Sequence, residues 1–322
     1  MKAIRFTRTG RPDVLELEDV ELPPPGPGQV RVRHTAIGVN FIDTYHRSGL
    51  YKLPLPSGLG SEAAGVVEAL GSGVATLTPG DRVAYAGTLG AYAEANNVPA
   101  DKLVKLPAAI SDEVAAAALL KGMTAQYLLK RTYQVERAET ILFHAAAGGV
   151  GLIACQWARQ LGASVIGTVG SEDKVALARD NGCAHVLNTR KDDWPARVRE
   201  ITGGDGVPVV YDSIGKDTWS GSLDCLAVRG MLVSFGNASG AVPAFEPGIL
   251  SAKGSLYLTR PTLFHYTRTR EELQQTADDL FAVMASGAVK VAVHQRFQLS
   301  EARAAHEALQ SRATTGATIL LP

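Results

Sequence analysis

Only three cysteines occur in the 322 residues, Cys155, Cys183 and Cys225, and they are widely scattered. So sparse and odd a set excludes a disulfide-stapled secreted scaffold and fits a reducing compartment. Net charge is also lacking. Lys plus Arg number 32 and Asp plus Glu 32, so no overall field favours nucleic acid or an anionic membrane, although a local basic pocket stays open. No apolar run approaches the length needed to span a bilayer. The opening Met1-Lys2-Ala3-Ile4-Arg5-Phe6-Thr7 has neither the apolar core nor the cleavage signal of an exported chain, so a cytoplasmic location is expected. The histidines at 34, 46, 144, 185, 265, 294 and 306 form no close metal-like spacing. His144 reads as a packed core residue and His46 as a surface one. No G-x-S-x-G elbow occurs, which removes support for a hydrolase.

What is present is an ordinary enzyme composition, 46% hydrophobic and 20% charged, on a chain long enough for two domains and a large core. Two textures divide it. From Met1 to about Leu106, short apolar runs such as Val30-Arg31-Val32-Arg33 and Ala64-Gly65-Val66-Val67 are cut by breakers such as Pro23-Pro24-Pro25-Gly26-Pro27-Gly28. That texture predicts a compact, mostly β unit. From about Ser111, strands and helices alternate. Strands are expected at Thr140–His144, Ser164–Val169, His185–Leu187, Val207–Tyr211, Gly230–Phe235 and Ser255–Leu258. Helices are expected from Ser111, over Gly149–Leu161 closed by Gly162, and over Glu172–Asn181 closed by Gly182. Such alternation predicts an α/β domain with a doubly wound parallel sheet. An amphipathic helix from Arg270 and strands ending at Thr318–Leu321 complete the chain.

The turn Ala146-Ala147-Gly148-Gly149-Val150-Gly151 follows a strand and opens a helix. Backbone N–H groups and the helix dipole at such a place suit a pyrophosphate. The first glycine of G-x-G-x-x-G is replaced by Ala146, and a ligand-free tight turn is the competing reading. The β-α-β context favours a dinucleotide. The second strand ends Val169-Gly170-Ser171 with no acid to accept from a ribose hydroxyl, and Lys174 follows. Ser171 and Lys174 can bind a 2′-phosphate, which points to NADPH. Glu172 and Asp173 could be read as the missing acid, but in a first helical turn they complement the dipole.

Gly38-Val39-Asn40-Phe41-Ile42-Asp43-Thr44-Tyr45, Leu59-Gly60-Ser61-Glu62-Ala63-Ala64-Gly65 and the glycine turn resemble the medium-chain dehydrogenase/reductase superfamily. The likeness is strongest to its zinc-independent quinone oxidoreductases, the ζ-crystallin-like group. It runs on through Leu120-Lys121-Gly122-Met123-Thr124-Ala125, Tyr211-Asp212-Ser213-Ile214-Gly215, Ser234-Phe235-Gly236-Asn237 and Ser311-Arg312-Ala313-Thr314-Thr315-Gly316. The resemblance implies a GroES-like β domain over residues 1–122, a Rossmann domain over 123–260 and a return to the first domain over 261–322. It also implies a homodimer through edge strands near Gly254–Leu258. Asn40, Ile42, Asp43 and Tyr45 would line the active-site cleft, with Thr124 close to the nicotinamide. Further cofactor contacts are expected from Gly148, Gly149, Val150, Gly151, Gly170, Ser171, Lys174, Ser213, Phe235, Gly236, Asn237, Leu258, Thr259, Arg260 and Arg312. Where zinc-holding members carry their catalytic ligands, this chain has Asn40, Ser61 and Leu120, and no cysteine lies between about Asp81 and Lys105. No metal is therefore expected. Relatives carry Tyr after the Asn of the third-strand motif, whereas Asn188-Thr189-Arg190 stands here, so a stacking contact is lost.

Without a Lewis acid, the expected acceptor is already electrophilic, a quinone reduced at the expense of NADPH. Asn40, Tyr45 and Lys121 are the candidate oxyanion donors. Four of the candidate site residues have a bland alternative: Asp43 as a structural carboxylate, Tyr45 as a packing ring, Lys121 as a surface lysine, Arg312 as a domain bridge. Two other functions remain. One is reduction of enones, alkenals or enoyl thioesters on the same fold. The other is a nucleotide-binding structural or RNA-binding role, which the balanced charge disfavours.

Overall fold

A computed structural model describes residues 1–322. The chain divides into two compact units, one comprising Met1–Met123, Thr267–Phe281 and Val291–Pro322, the other Thr124–Tyr266 and Ala282–Lys290. No helix is long and apolar enough to cross a membrane.

In the first unit the short runs between Gly and Pro breakers become strands. Gln29–Val39 is the longest, and it pairs antiparallel with Glu62–Leu70, Ala95–Pro99 and Ala317–Leu321. The sheet continues through Arg82–Ala86 to Val104–Lys105 on one side and to Val293–Gln298 on the other. A three-stranded sheet of Glu16–Asp19, Lys2–Phe6 and Ser57–Gly58 accompanies it. Inward-facing Val30, Val32, Ile37, Val39, Ala63 and Val83 join Tyr85, Tyr92 and Leu320 in one core cluster. Side chains of that size each contribute about 1.5–3 kcal/mol when fully buried.

The second unit holds a six-stranded sheet in which every pairing is parallel. In spatial order its strands are Cys183–Asn188, Ser164–Val169, Thr140–Phe143, Val207–Asp212, Leu226–Ser234 and Tyr257–Thr259. In chain sequence that is third, second, first, fourth, fifth, sixth, the Rossmann order. The order reverses between Thr140–Phe143 and Val207–Asp212, and ligands of such sheets bind beyond the carboxyl ends of the strands at that reversal. Helix Gly149–Leu161 ends where Gly162 adopts φ 92°, a left-handed cap.

Three elements depart from expectation. The helix after Ser164–Val169 begins as a 3-10 turn, Glu172–Lys174, before Val175–Asp180. The fifth strand starts at Leu226 rather than Gly230, because Leu226 already pairs with Val207 across a register shift. Helix Asp112–Tyr127, expected from Ser111, runs on into a π-helical turn at Leu128–Thr132 that the sequence pattern did not reveal.

Candidate functional site

The glycine turn of the second unit is shaped by backbone contact. Ala145 takes φ 53°, and Ala146 N–H donates to Thr168 O at 2.9 Å. A Cβ on Gly151 would lie 2.3 Å from Ala145 O, so only glycine lets the helix start this close to the strand end. Gly148 caps the helix, and Leu152 N–H is the first to reach back, to Gly148 O. The N–H groups of Gly149, Val150 and Gly151 thus sit in the first turn, where no carbonyl one turn earlier can serve them. At the neighbouring strand end, a Cβ on Gly170 would meet no atom within 4 Å. The cradle is therefore tight underneath and open above, which fits a pyrophosphate and a bulky ribose substituent.

No acid stands at that strand end. Glu172 points its carboxylate to Lys191 Nζ at 3.0 Å and to Asn188 Nδ2 at 3.4 Å. Its pKa is lowered, first by the hydrogen bond from Lys191. That of Asp173 is lowered chiefly by a hydrogen bond from Ser171. Thr189 N–H donates to Val169 O at 2.9 Å and so ties the third strand's end to the second.

Across the reversal point, Asp212 is buried and collects four donors: Ile214 N, Gly215 N, Thr218 Oγ1 and Ser222 Oγ, at 2.7–3.0 Å. It holds the turn bearing Ser213, against which Gly236 packs so closely that a Cβ would stand 2.4 Å from Ser213 O. Arg260 Nη1 donates to Ser234 O at 2.8 Å and Gly236 O at 3.1 Å. Asn237 accepts from Arg260 Nη2 at 2.9 Å, and the Phe235 ring lies 5.9 Å from that of Phe143. Ser213, Phe235, Gly236, Asn237 and Arg260 thus form one cluster, with Leu258 and Thr259 paired to Leu232 and Val233 beside it. His144 is fully buried between Thr168 Oγ1 and Ser222 Oγ, at 2.8 and 3.0 Å, a structural histidine.

In the first unit a separate polar cluster lies around Glu62, a residue not singled out from sequence. Glu62 is wholly buried. Its Oε2 accepts from Asn40 Nδ2 at 2.8 Å and Lys121 Nζ at 3.1 Å, and its Oε1 accepts from Leu120 N at 2.7 Å. Gly38 makes room for it, since a Cβ there would stand 2.2 Å from Glu62 Oε2. Asn40 also caps helix Phe41–Ser48, its N–H donating to Asp43 Oδ2 at 2.8 Å. Tyr92 OH donates to the same oxygen at 3.1 Å. Burial pushes the Asp43 carboxyl up to about 7 against the lowering effect of those two donors. Tyr45 is buried on the same helix, its ring edge-on to Tyr51 at 5.2 Å. Ile42 is half-buried in that helix's first turn. His46, expected on the surface, is half-buried against Tyr51.

The structure thus joins Asn40, Asp43 and Lys121 through one carboxylate and one cap. Thr124 is buried three residues beyond Lys121 on the same helix. Lys174 lies in the second unit and Arg312 in the first. Besides Glu62, sequence reasoning missed Tyr92, His306 and Arg47, which continue the Asp43 network. A glycine opposite a glutamate in adjacent strands was the only signal for any of them. No three His, Cys, Asp or Glu side chains come together as a metal site would require.

A Rossmann sheet with a glycine-lined helix start, preceded by a β unit carrying a buried amide–carboxylate–ammonium cluster, defines a nucleotide-dependent oxidoreductase class. Comparison with known proteins agrees. Residues 26–108 match the alcohol dehydrogenase GroES-like domain and residues 149–282 the zinc-binding dehydrogenase family. A quinone oxidoreductase of Pseudomonas aeruginosa is 57% identical over 100% of this chain and 99% of its own. A 2-haloacrylate reductase of a Burkholderia species is 49% identical over 98% of this chain and 97% of its own. The crystal structure of Escherichia coli quinone oxidoreductase complexed with NADPH superimposes with a TM-score of 0.99, at 54% identity and full coverage of both chains. The chain belongs to the quinone oxidoreductases of the medium-chain dehydrogenase/reductase superfamily.

Proposed function

We propose that the chain is an NADPH:quinone oxidoreductase that works without a metal. The observation that carries this reading is the donor set around Glu62. Asn40, Ser61 and Leu120 offer an amide, a hydroxyl and an alkyl group in place of thiolate and imidazole, so oxyanion stabilisation falls to hydrogen-bond donors. Lys121 and Asn40 are both fixed by Glu62 and need no reorganisation as negative charge grows on an acceptor oxygen. Tyr45 is the third proposed donor.

Bound NADPH supplies the hydride. Its phosphates are assigned to the first-turn N–H groups of Gly149, Val150 and Gly151 beside Gly148, and its 2′-phosphate to Ser171 and Lys174 at the open Gly170. Ser213, Phe235, Gly236, Asn237, Leu258, Thr259 and Arg260 are the remaining proposed contacts on the sheet. Asn40, Ile42, Asp43, Tyr45, Thr124 and Arg312 are proposed cofactor contacts too, each to be checked by the loss of NADPH affinity on truncation.

Steady-state oxidation of NADPH and NADH with 1,4-benzoquinone, run beside an enone panel, tests the reading. Quinone turnover with NADPH preferred supports it. Enone turnover without quinone turnover replaces it by reduction of activated alkenes, which the 2-haloacrylate reductase relative makes the specific second reading. Tight NADPH binding with no turnover of any electrophile would point to a non-enzymatic role.

A homodimer through the sheet edge is part of the same proposal. It is supported by the outermost strand, Tyr257–Thr259, whose Tyr257 is 59% exposed, and by Val228, 74% exposed, whose side chain lies beside Gly254. An unpaired apolar edge invites a second strand. Val228→Lys with Tyr257→Lys should convert a sedimenting dimer to monomer, and a monomeric parent protein would refute the dimer. A cytoplasmic location is proposed on the three cysteines, all free and buried.

A further inference from the structure

Quinone reduction by hydride needs a proton, and none of the roles assigned above supplies it. We infer that Asp43 is held as a neutral acid with its O–H on Oδ1, that this proton reaches the reduced acceptor through an intervening water, and that Tyr92, His306 and Arg47 are the positioning residues that reserve Oδ1 for it. The inference rests on the quinone reductase reading for its substrate, but not for the protonation state.

The argument is one of hydrogen-bond direction. Arg47 is almost fully buried, its Nη1 lies 3.2 Å from His306 Nδ1, and its Nη2 and Nε donate to Gln310 Oε1 and Gly10 O. A guanidinium only donates, so His306 Nδ1 must accept. Burial and the Arg47 charge push the His306 pKa down to about 3, so the imidazole is neutral and its single hydrogen is on Nε2. That hydrogen points to Tyr92 Oη at 3.0 Å. Tyr92 then has one direction left for its own hydrogen, Asp43 Oδ2, which also accepts from Asn40 N–H. Oδ2 is thereby committed as an acceptor. Oδ1 is buried and has no partner. An ionised oxygen left so is costly, and a neutral hydroxyl much less so.

The charged and titratable groups that act on Asp43 are Lys121, which favours ionisation, and Glu62, which opposes it. Tyr92, and behind it His306 and Arg47, complete the set. Lys121 and Glu62 neutralise each other at 3.1 Å. An acid titrating near neutral pH is well matched to proton transfer. The step balances without redox change at the acid. Two-electron reduction leaves a hydroquinone monoanion, the Asp43 Oδ1–H bond breaks as its proton passes to an intervening water, that water gives a proton to the acceptor oxygen to form its O–H bond, and the carboxylate is reprotonated from solvent by the same route.

Infrared titration of the ligand-free protein tests the protonation state. A carboxylic acid carbonyl band should be lost as pH rises through about 7, be absent in Asp43→Asn, and persist to higher pH in Tyr92→Phe, which removes one donor to the carboxylate. With NADPH and 1,4-benzoquinone, kcat should fall along the same limb. It should move up in pH with Tyr92→Phe and drop about 10²-fold, without that limb, in Asp43→Asn. Absence of the band, or a Tyr92→Phe enzyme whose kcat changes while its pH midpoint does not, overturns the inference. Failure of the parent enzyme to turn over any quinone refutes the substrate reading instead, and leaves the infrared result to stand by itself.

Discussion

Glu62 is wholly buried and is tolerated there because its two oxygens collect an ammonium, a side-chain amide and a backbone N–H. Removing one partner of such a pair leaves the other uncompensated, at a cost of about 3–5 kcal/mol. Glu62→Gln should therefore lower stability by about 3 kcal/mol in urea titration and depress kcat more than it raises KM, since it loosens donors meant for the transition state. An enzyme altered in KM alone would remove Glu62 from the site. At the nucleotide end, Lys174→Glu places a carboxylate beside the proposed 2′-phosphate. Apparent KM for NADPH should rise about tenfold more than that for NADH, the scale of one charge-assisted hydrogen bond. Equal effects on both would contradict that role. Asn40 and Lys121 could be singled out as candidates because each sits in a short contiguous motif. His306 and Arg47 were not, since they are 259 residues apart in sequence and no local pattern announces a contact made only by folding.

The glycines of the nucleotide-binding unit do two kinds of work, and substitution separates them. A Cβ on Gly151 meets backbone at 2.3 Å, while a Cβ on Gly170 meets nothing. Gly151→Ala should lower Tm and NADPH affinity together, because the helix must lift from the strand end. Gly170→Ala should leave Tm within about 1 °C and weaken NADPH alone, an effect on the scale of a surface substitution for stability. If Gly170→Ala binds NADPH as the parent does, the open space beside it is not a ligand site. This difference explains what was readable among the elements. Period and breakers marked Ser164–Val169 and Gly149–Leu161 with their observed ends, since alternation of strand and helix is a local property. The start of Leu226–Ser234 was misplaced because Gly230 reads as a strand boundary, and in the fold the left-handed Arg229, φ 62°, does interrupt the strand beside it. Pairing of Leu226 with Val207 overrides that local signal.

At the scale of the whole molecule, buried titratable groups set how stability responds to acid. Burial pushes His34 down to about 4 and His306 down to about 3, from 6.5 in the unfolded chain. Between about pH 4 and 6.5 the unfolded chain therefore holds two imidazolium protons that the folded protein does not. Asp43 works in the opposite sense. Its folded pKa of about 7 exceeds the unfolded 3.8, so over the same window the folded protein holds one proton that the unfolded chain has released. The net difference from these three groups is one proton, bound by the unfolded state. These three groups together should then make stability fall on acidification by about 1.4 kcal/mol per pH unit. Asp43→Asn removes the opposing proton and should steepen the fall by about 1.4 kcal/mol per unit, while His306→Asn should make it shallower by the same amount. His46 and His144, also lowered by burial, add the same slope to parent and variants and leave the differences between them unchanged. Urea midpoints measured from about pH 6.5 down to about 4.5 resolve slopes of this size. Parallel lines for the parent and Asp43→Asn would mean that the carboxyl ionises normally in the folded protein, and the neutral acid inferred at Oδ1 would go with it.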